Sequence, residues 1–180
     1  MTEAEWLAAT DPRLLLNFLD GKSSNRKLHM FSLACWSAWP WQPDESGEYL
    51  RKFEQYADAL ITREEYASYA EEDIVEPWQG AWLAIRFSEK HLEAHRHVSF
   101  IRDIFGNPFR PVTFLPEWRT STVLSLARGI YSDRAFDRMP ILADALKDAG
   151  CDNEELLNHC RAETVHTRGC FAIDLILGKE

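Results

Sequence analysis

Apolar side chains recur every three or four positions along most of this chain, the period of a helix with one buried face. Leu14, Leu15, Phe18 and Leu19 make one such stripe, Leu28, Phe31, Cys35 and Trp39 a second, and Phe53, Tyr56, Ala57 and Leu60 a third. Later in the chain the pattern returns at Val123, Leu126, Ala127 and Ile130, and again at Leu142, Ala145, Leu146 and Ala149. The last run, CFAIDLILG from Cys170, is apolar enough for a strand or a buried helix. No other segment offers it a partner strand, so a terminal helix is expected.

Start and stop signals agree with these stripes. Thr2 with Glu5, Thr62 with Glu65 and Asp152 with Glu155 each read as a capping box, in which two side chains satisfy the first backbone donors of a helix. Asp11 before Pro12, Ser24, Ser46, Thr120 or Ser121, and Pro140 mark further starts. Gly21, Pro40 and Gly150 mark stops. Pro77 predicts a longer helix carrying Trp78, Trp82, Leu83, Ile85 and Leu92 through to His97. The expected fold is all-α, a multi-helix bundle of about eight to ten short helices.

The helical pattern fails over Phe100 to Trp118, FIRDIFGNPFRPVTFLPEW. Pro108, Pro111 and Pro116 remove backbone donors and push Asn107, Arg110 and Leu115 away from helical angles. Its aromatics carry more apolar surface than a solvated loop should, which predicts a packed hinge at 100–118 between helical halves at 1–99 and 119–180 of a single domain. A second break, WSAWPWQPDESG from Trp36 to Gly47, is rich in tryptophan. A lid over the core is expected there, because monomers rarely expose large apolar patches; an exposed recognition patch using Trp39 and Trp41 is the alternative.

Charge narrows the partners. The net charge of -9 is concentrated N-terminally, with 17 acidic against 10 basic residues over 1–100 and 12 against 10 over 101–180. Phosphate backbones need clustered cations, so nucleic acid is a poor partner and another protein or domain a better one. No run of eighteen apolar residues exists and the first residues, MTEAEWLAATDP, are acidic, which predicts a cytoplasmic protein without a membrane span. Cys35, Cys151, Cys160 and Cys170 lie in apolar or helical contexts without close pairing, as reduced thiols do.

Candidate chemistry is sparse. His91, His95 and His97 in KHLEAHRHV lack the Glu directly after the first His that a zinc protease needs, and a solvated helix face is expected. Cys151, His159, Cys160, His166 and Cys170 concentrate soft ligands within twenty residues, but without the two-residue knuckle of a structural zinc site. Adjacent His159 and Cys160 also diverge by about 100° on a helix. No nucleophile elbow, phosphate-cradling loop or dinucleotide fingerprint occurs, so catalysis is not expected. Asp133, Arg134, Asp137 and Arg138 read as surface ion pairs. Arg102, Asp103 and Arg110 flank the hinge, where an arginine most often clamps carbonyls or a carboxylate.

The strings MTEAEWLAATDP, RKLHMFSLAC, QYADAL, IRDIFGNPFRPV, IYSDRAFDRMPILADALKDAGCD, HCR and HTRGCFAIDLILGK cover most of the chain in order. In them the chain resembles an uncharacterised, extensively paralogous family of bacterial proteins. The resemblance implies no activity and carries over no catalytic residue. Where members of that family tend to be rich in Cys and Arg after the Cys35 helix, this chain has WSAWPWQP.

The expected function is a helical protein–protein interaction or regulatory module with no cofactor, contacting its partner through Asn107, Phe109, Arg110, Trp39 and Trp41. The alternative is a zinc-binding protein or enzyme using Cys151, His159, Cys160, His166 and Cys170. Neither reading fixes the oligomeric state.

Overall fold

A computed structural model describes residues 1–38, 46–69 and 76–179. Among them the chain is all-α, with eleven α-helices, two short 3-10 turns and no strand. It divides into two compact units, Met1–Ile101 and Arg102–Glu180.

In the first unit, α1 (Glu3–Ala8) opens on the Thr2–Glu5 capping box and is anchored by fully buried Trp6. Asp11 caps α2 (Pro12–Phe18). Its buried stripe is Leu15, Leu16 and Leu19, whereas Leu14, expected inside, is 54% exposed. The run of three leucines fits two helical phases, and the neighbours chose between them. Ser24 caps α3 (Asn25–Ser37), which is buried on nearly every face from Leu28 to Cys35. It packs against α4 (Ser46–Ala57) and α6 (Pro77–Ser88), and α5 (Arg63–Ala67) opens on the Thr62–Glu65 box and packs on α4. Arg26 on α3 reaches Asp58 at 2.9 Å, an ion pair with both side chains almost wholly buried. Trp36 packs on Phe87 at 6.1 Å between ring centroids. Trp39 and Trp41, with residues 39–45 of the expected lid, lie outside the described residues.

The long helix expected from Pro77 to His97 is two helices, α6 and α7 (Ala94–Phe105). The apolar phase explains the break. Ala81, Ala84, Ile85 and Ser88 form one buried stripe, but burial resumes at His97, Val98, Ile101 and Ile104, out of step with a continuous helix. The amides of His91 and Leu92 turn back onto the Ser88 carbonyl. Inside this turn the Ser88 hydroxyl donates to the Ala84 carbonyl and lies 2.7 Å from Nε2 of His97. His91 and His95 are exposed while His97 is buried, so the three histidines share no site.

The expected hinge also needs correcting at its start. Phe100–Phe105 completes α7, because Phe100, Ile101 and Ile104 keep helical phase and no proline intervenes before Pro108. The helix stops at Gly106, whose φ of +67° is costly for any other residue. Beyond it the chain is irregular to the short 3-10 turn Pro116–Trp118. Val112 and Phe114 pack on the core of the second unit and Trp118 is buried in it.

That core is built by α8 (Ser121–Asp133), α9 (Met139–Asp148), α10 (Glu154–Arg161) and α11 (Phe171–Leu177). Val123, Ala127 and Ile130 of α8 meet Leu142, Ala143 and Leu146 of α9, Leu156 and Cys160 of α10, and the almost wholly buried α11. Thr120 caps α8. Helix α10 starts one residue later than expected: Asn153, not Asp152, accepts the Leu156 amide at 2.9 Å. Asn153→Ala should therefore cost about 1 kcal/mol in a urea melt, whereas Asp152→Ala should cost little. All four cysteines are buried and unbridged.

Candidate metal centre

Four side chains from separate parts of the second unit point at one another. Asp103 sits in the last turn of α7, a carboxylate on the stripe set by Phe100 and Ile104, and is 3% exposed. His159 lies on α10 beside the apolar face of Leu156, Leu157 and Cys160. His166 follows in the irregular stretch after α10, and Cys170 immediately precedes α11. One ligand atom from each of Asp103, His159, His166 and Cys170 lies within 4.8 Å of all the others.

The distances are short. Nδ1 of His166 is 2.7 Å and Nε2 of His159 3.2 Å from the same Asp103 oxygen, Oδ1. That Nε2 is also 3.2 Å from Cys170 Sγ, and Nδ1 of His166 is 4.0 Å from it. The other carboxylate oxygen, Oδ2, accepts from the Thr167 amide at 2.8 Å and its hydroxyl at 3.3 Å. Nε2 of His166 is buried and makes no hydrogen bond, so the polar contacts of this ring lie on its Nδ1 side.

Burial alone would raise the Asp103 carboxyl, but hydrogen bonds from His159 and His166 and their charge outweigh it and hold the group below its ordinary range. Burial, then the Asp103 charge, pushes the Cys170 thiol well up, against the pull of the Ile173 and Ala172 amides. Cys160 is pushed up to about 12 by burial and by the charges of Cys151 and Asp103.

This arrangement is not a nucleophile with its base. In a Cys–His–Asp relay the carboxylate holds the imidazole nitrogen remote from the sulfur. Here one nitrogen of His159 faces both. The four atoms converge on a point, as metal ligands do, instead of forming a chain.

Phe171 packs on one member of the cluster, its ring centroid 4.3 Å from that of His159. A Cβ at Gly106 would meet Phe171 Cγ at 3.1 Å, on backbone already at positive φ. Gly106→Ala should destabilise the second unit by about 1–3 kcal/mol, read by urea melt, and shift the His159 ring resonances.

Of the five residues in the alternative, zinc-binding reading of the sequence, the structure brings together His159, His166 and Cys170. Cys151 and Cys160 are instead core residues, 1% and 0% exposed, and neither belongs to the converging set. Asp103 takes the fourth place. Its signal was a lone carboxylate in the apolar string FIRDIF, three residues after Phe100 on the same helix face. In the proline-rich segment Asn107 Oδ1 accepts the Phe109 amide at 3.0 Å, Phe109 is half-buried and Arg110 exposed. Two arginines outside that expectation also clamp carbonyls: Arg168 donates to Tyr131 O at 2.9 Å, and Arg119 to Leu175 O at 3.1 Å.

No helix among the described residues is long and apolar enough to cross a membrane. No protein-family model matches the chain, and neither the curated proteins nor the solved structures contain a significant match to it.

Proposed function

We propose that this chain is a metal-binding helical protein whose second unit holds one divalent transition-metal ion between Asp103, His159, His166 and Cys170. The convergence of four ligand-type atoms within 4.8 Å, in a buried setting, carries the proposal. An imidazole pair with one thiolate and one carboxylate is a donor set suited to zinc and its neighbours, and too soft for magnesium or calcium. The resemblance to a bacterial family supplies no activity to set beside it. Docking of a protein partner on Asn107, Phe109 and Arg110 is less well supported, since Asn107 is engaged in its own turn.

Protein purified without a histidine tag should contain about one equivalent of metal by elemental analysis. Removal by chelator and return of the ion should lower and restore the melting temperature. Less than about a tenth of an equivalent, with no thermal shift on adding Zn2+, overturns the proposal.

A further inference from the structure

We infer that the ion is zinc in a closed four-coordinate set, with no position left for a substrate, and that it braces the second unit instead of catalysing a reaction. This inference rests on the metal-binding proposal and concerns what the ion does there.

Geometry is the first support. Zinc–ligand bonds of about 2.0–2.3 Å at tetrahedral angles place neighbouring ligand atoms about 3.3–3.6 Å apart. Four of the six separations, 2.7, 3.2, 3.2 and 4.0 Å, bracket that range and all lie within 4.8 Å, so side-chain adjustment without rearrangement of the helices would seat an ion. Asp103 binds through one oxygen only, because Thr167 holds the other. That hold fixes the carboxylate as a fourth protein ligand, in the position that a catalytic site keeps for water or substrate.

Charge is the second. One carboxylate, one thiolate, two neutral imidazoles and a divalent ion sum to zero, the arrangement a low-dielectric interior penalises least. The side chains of Asp103 and His166 are 2% and 4% exposed and that of His159 16%, which leaves little room for substrate.

Connectivity is the third. Asp103 lies in the last turn of α7, His159 on α10, His166 in the irregular stretch that follows, and Cys170 immediately before α11. An ion at their centre cross-links segments more than fifty residues apart in sequence and fixes a stretch that has no regular structure of its own. Metal affinity and order of this unit are therefore coupled.

The test uses the full chain, loaded with Co2+ in place of Zn2+, and hydrogen exchange with and without chelator. Four-coordinate cobalt with one thiolate should give intense visible d–d bands and a sulfur-to-metal charge-transfer band that Cys170→Ser removes. Azide should leave the spectrum unchanged. Chelation should speed exchange at least about tenfold in α10, residues 162–170 and α11, with α3 and α6 unaffected. Cobalt that binds with a weak six-coordinate spectrum or responds to azide overturns the closed site while metal binding stands. Unchanged exchange after complete chelation overturns the bracing role. Failure of Co2+ and Zn2+ to bind at all overturns the underlying proposal instead.

Discussion

Asp103→Ala is expected to be among the most damaging single substitutions in the second unit, costing about 3–5 kcal/mol. The carboxylate is 3% exposed and receives both imidazoles and two donors from Thr167. Deleting it leaves the buried Thr167 amide and the Nδ1 side of His166 without their acceptor, while the Thr167 hydroxyl keeps the Arg168 carbonyl at 3.1 Å. Asp103→Asn keeps the volume and one acceptor oxygen but loses the charge, so it separates the two roles. It should fold, with a smaller loss in a urea melt, and yet bind zinc about a hundredfold more weakly or worse. Near-native zinc affinity in Asp103→Asn would show that the carboxylate is a structural acceptor alone.

The sequence was most readable where local chemistry decides the outcome. Thr2 with Glu5 and Thr62 with Glu65 close as capping boxes, and Pro12 and Pro77 take first helical positions. Such features depend on residues within one turn of each other, so the string alone contains both partners. It was least readable where tertiary contacts choose between equal local options. Leu14 and Leu16 are the same residue type, and only packing decides that Leu16 is buried and Leu14 exposed. Asp152 and Asn153 are comparable caps, and α10 uses the second.

The candidate site follows the same division. His159, His166 and Cys170 are close enough in sequence to be read as a group, whereas Asp103 lies 63 residues before His166 and joins them only through the fold. Cys151 and Cys160 look equivalent to Cys170 in the string. They differ in helix face: Cys160 turns inward with Leu156 and Leu157, while Cys170 stands at the start of α11 facing the two histidines.

Acid should destabilise the first unit steeply between pH 6.5 and 4, and His29 should account for much of the loss. Its ring packs against Phe53 and Tyr56, each 5.3 Å away between centroids, and burial lowers its pKa to about 4. Above pH 6.5 the group is neutral in both folded and unfolded chains and contributes no pH dependence. As pH falls below 6.5 the unfolded chain takes up the proton and the folded one does not, so stability declines until the folded group also titrates near 4. At 1.36 kcal/mol per pH unit the interval amounts to roughly 3 kcal/mol. His97 is lowered by burial too, against the opposing pull of Glu93 and Glu89, and adds loss of the same sign. Urea melts from pH 7 to 4 should show a slope reduced by most of that amount in His29→Leu, with the remainder reduced again when His97→Gln is added. The buried Arg26–Asp58 pair is common to all these variants and cancels in the comparison. Equal slopes in wild type and His29→Leu would mean that His29 takes up its proton in the folded chain as readily as in the unfolded one.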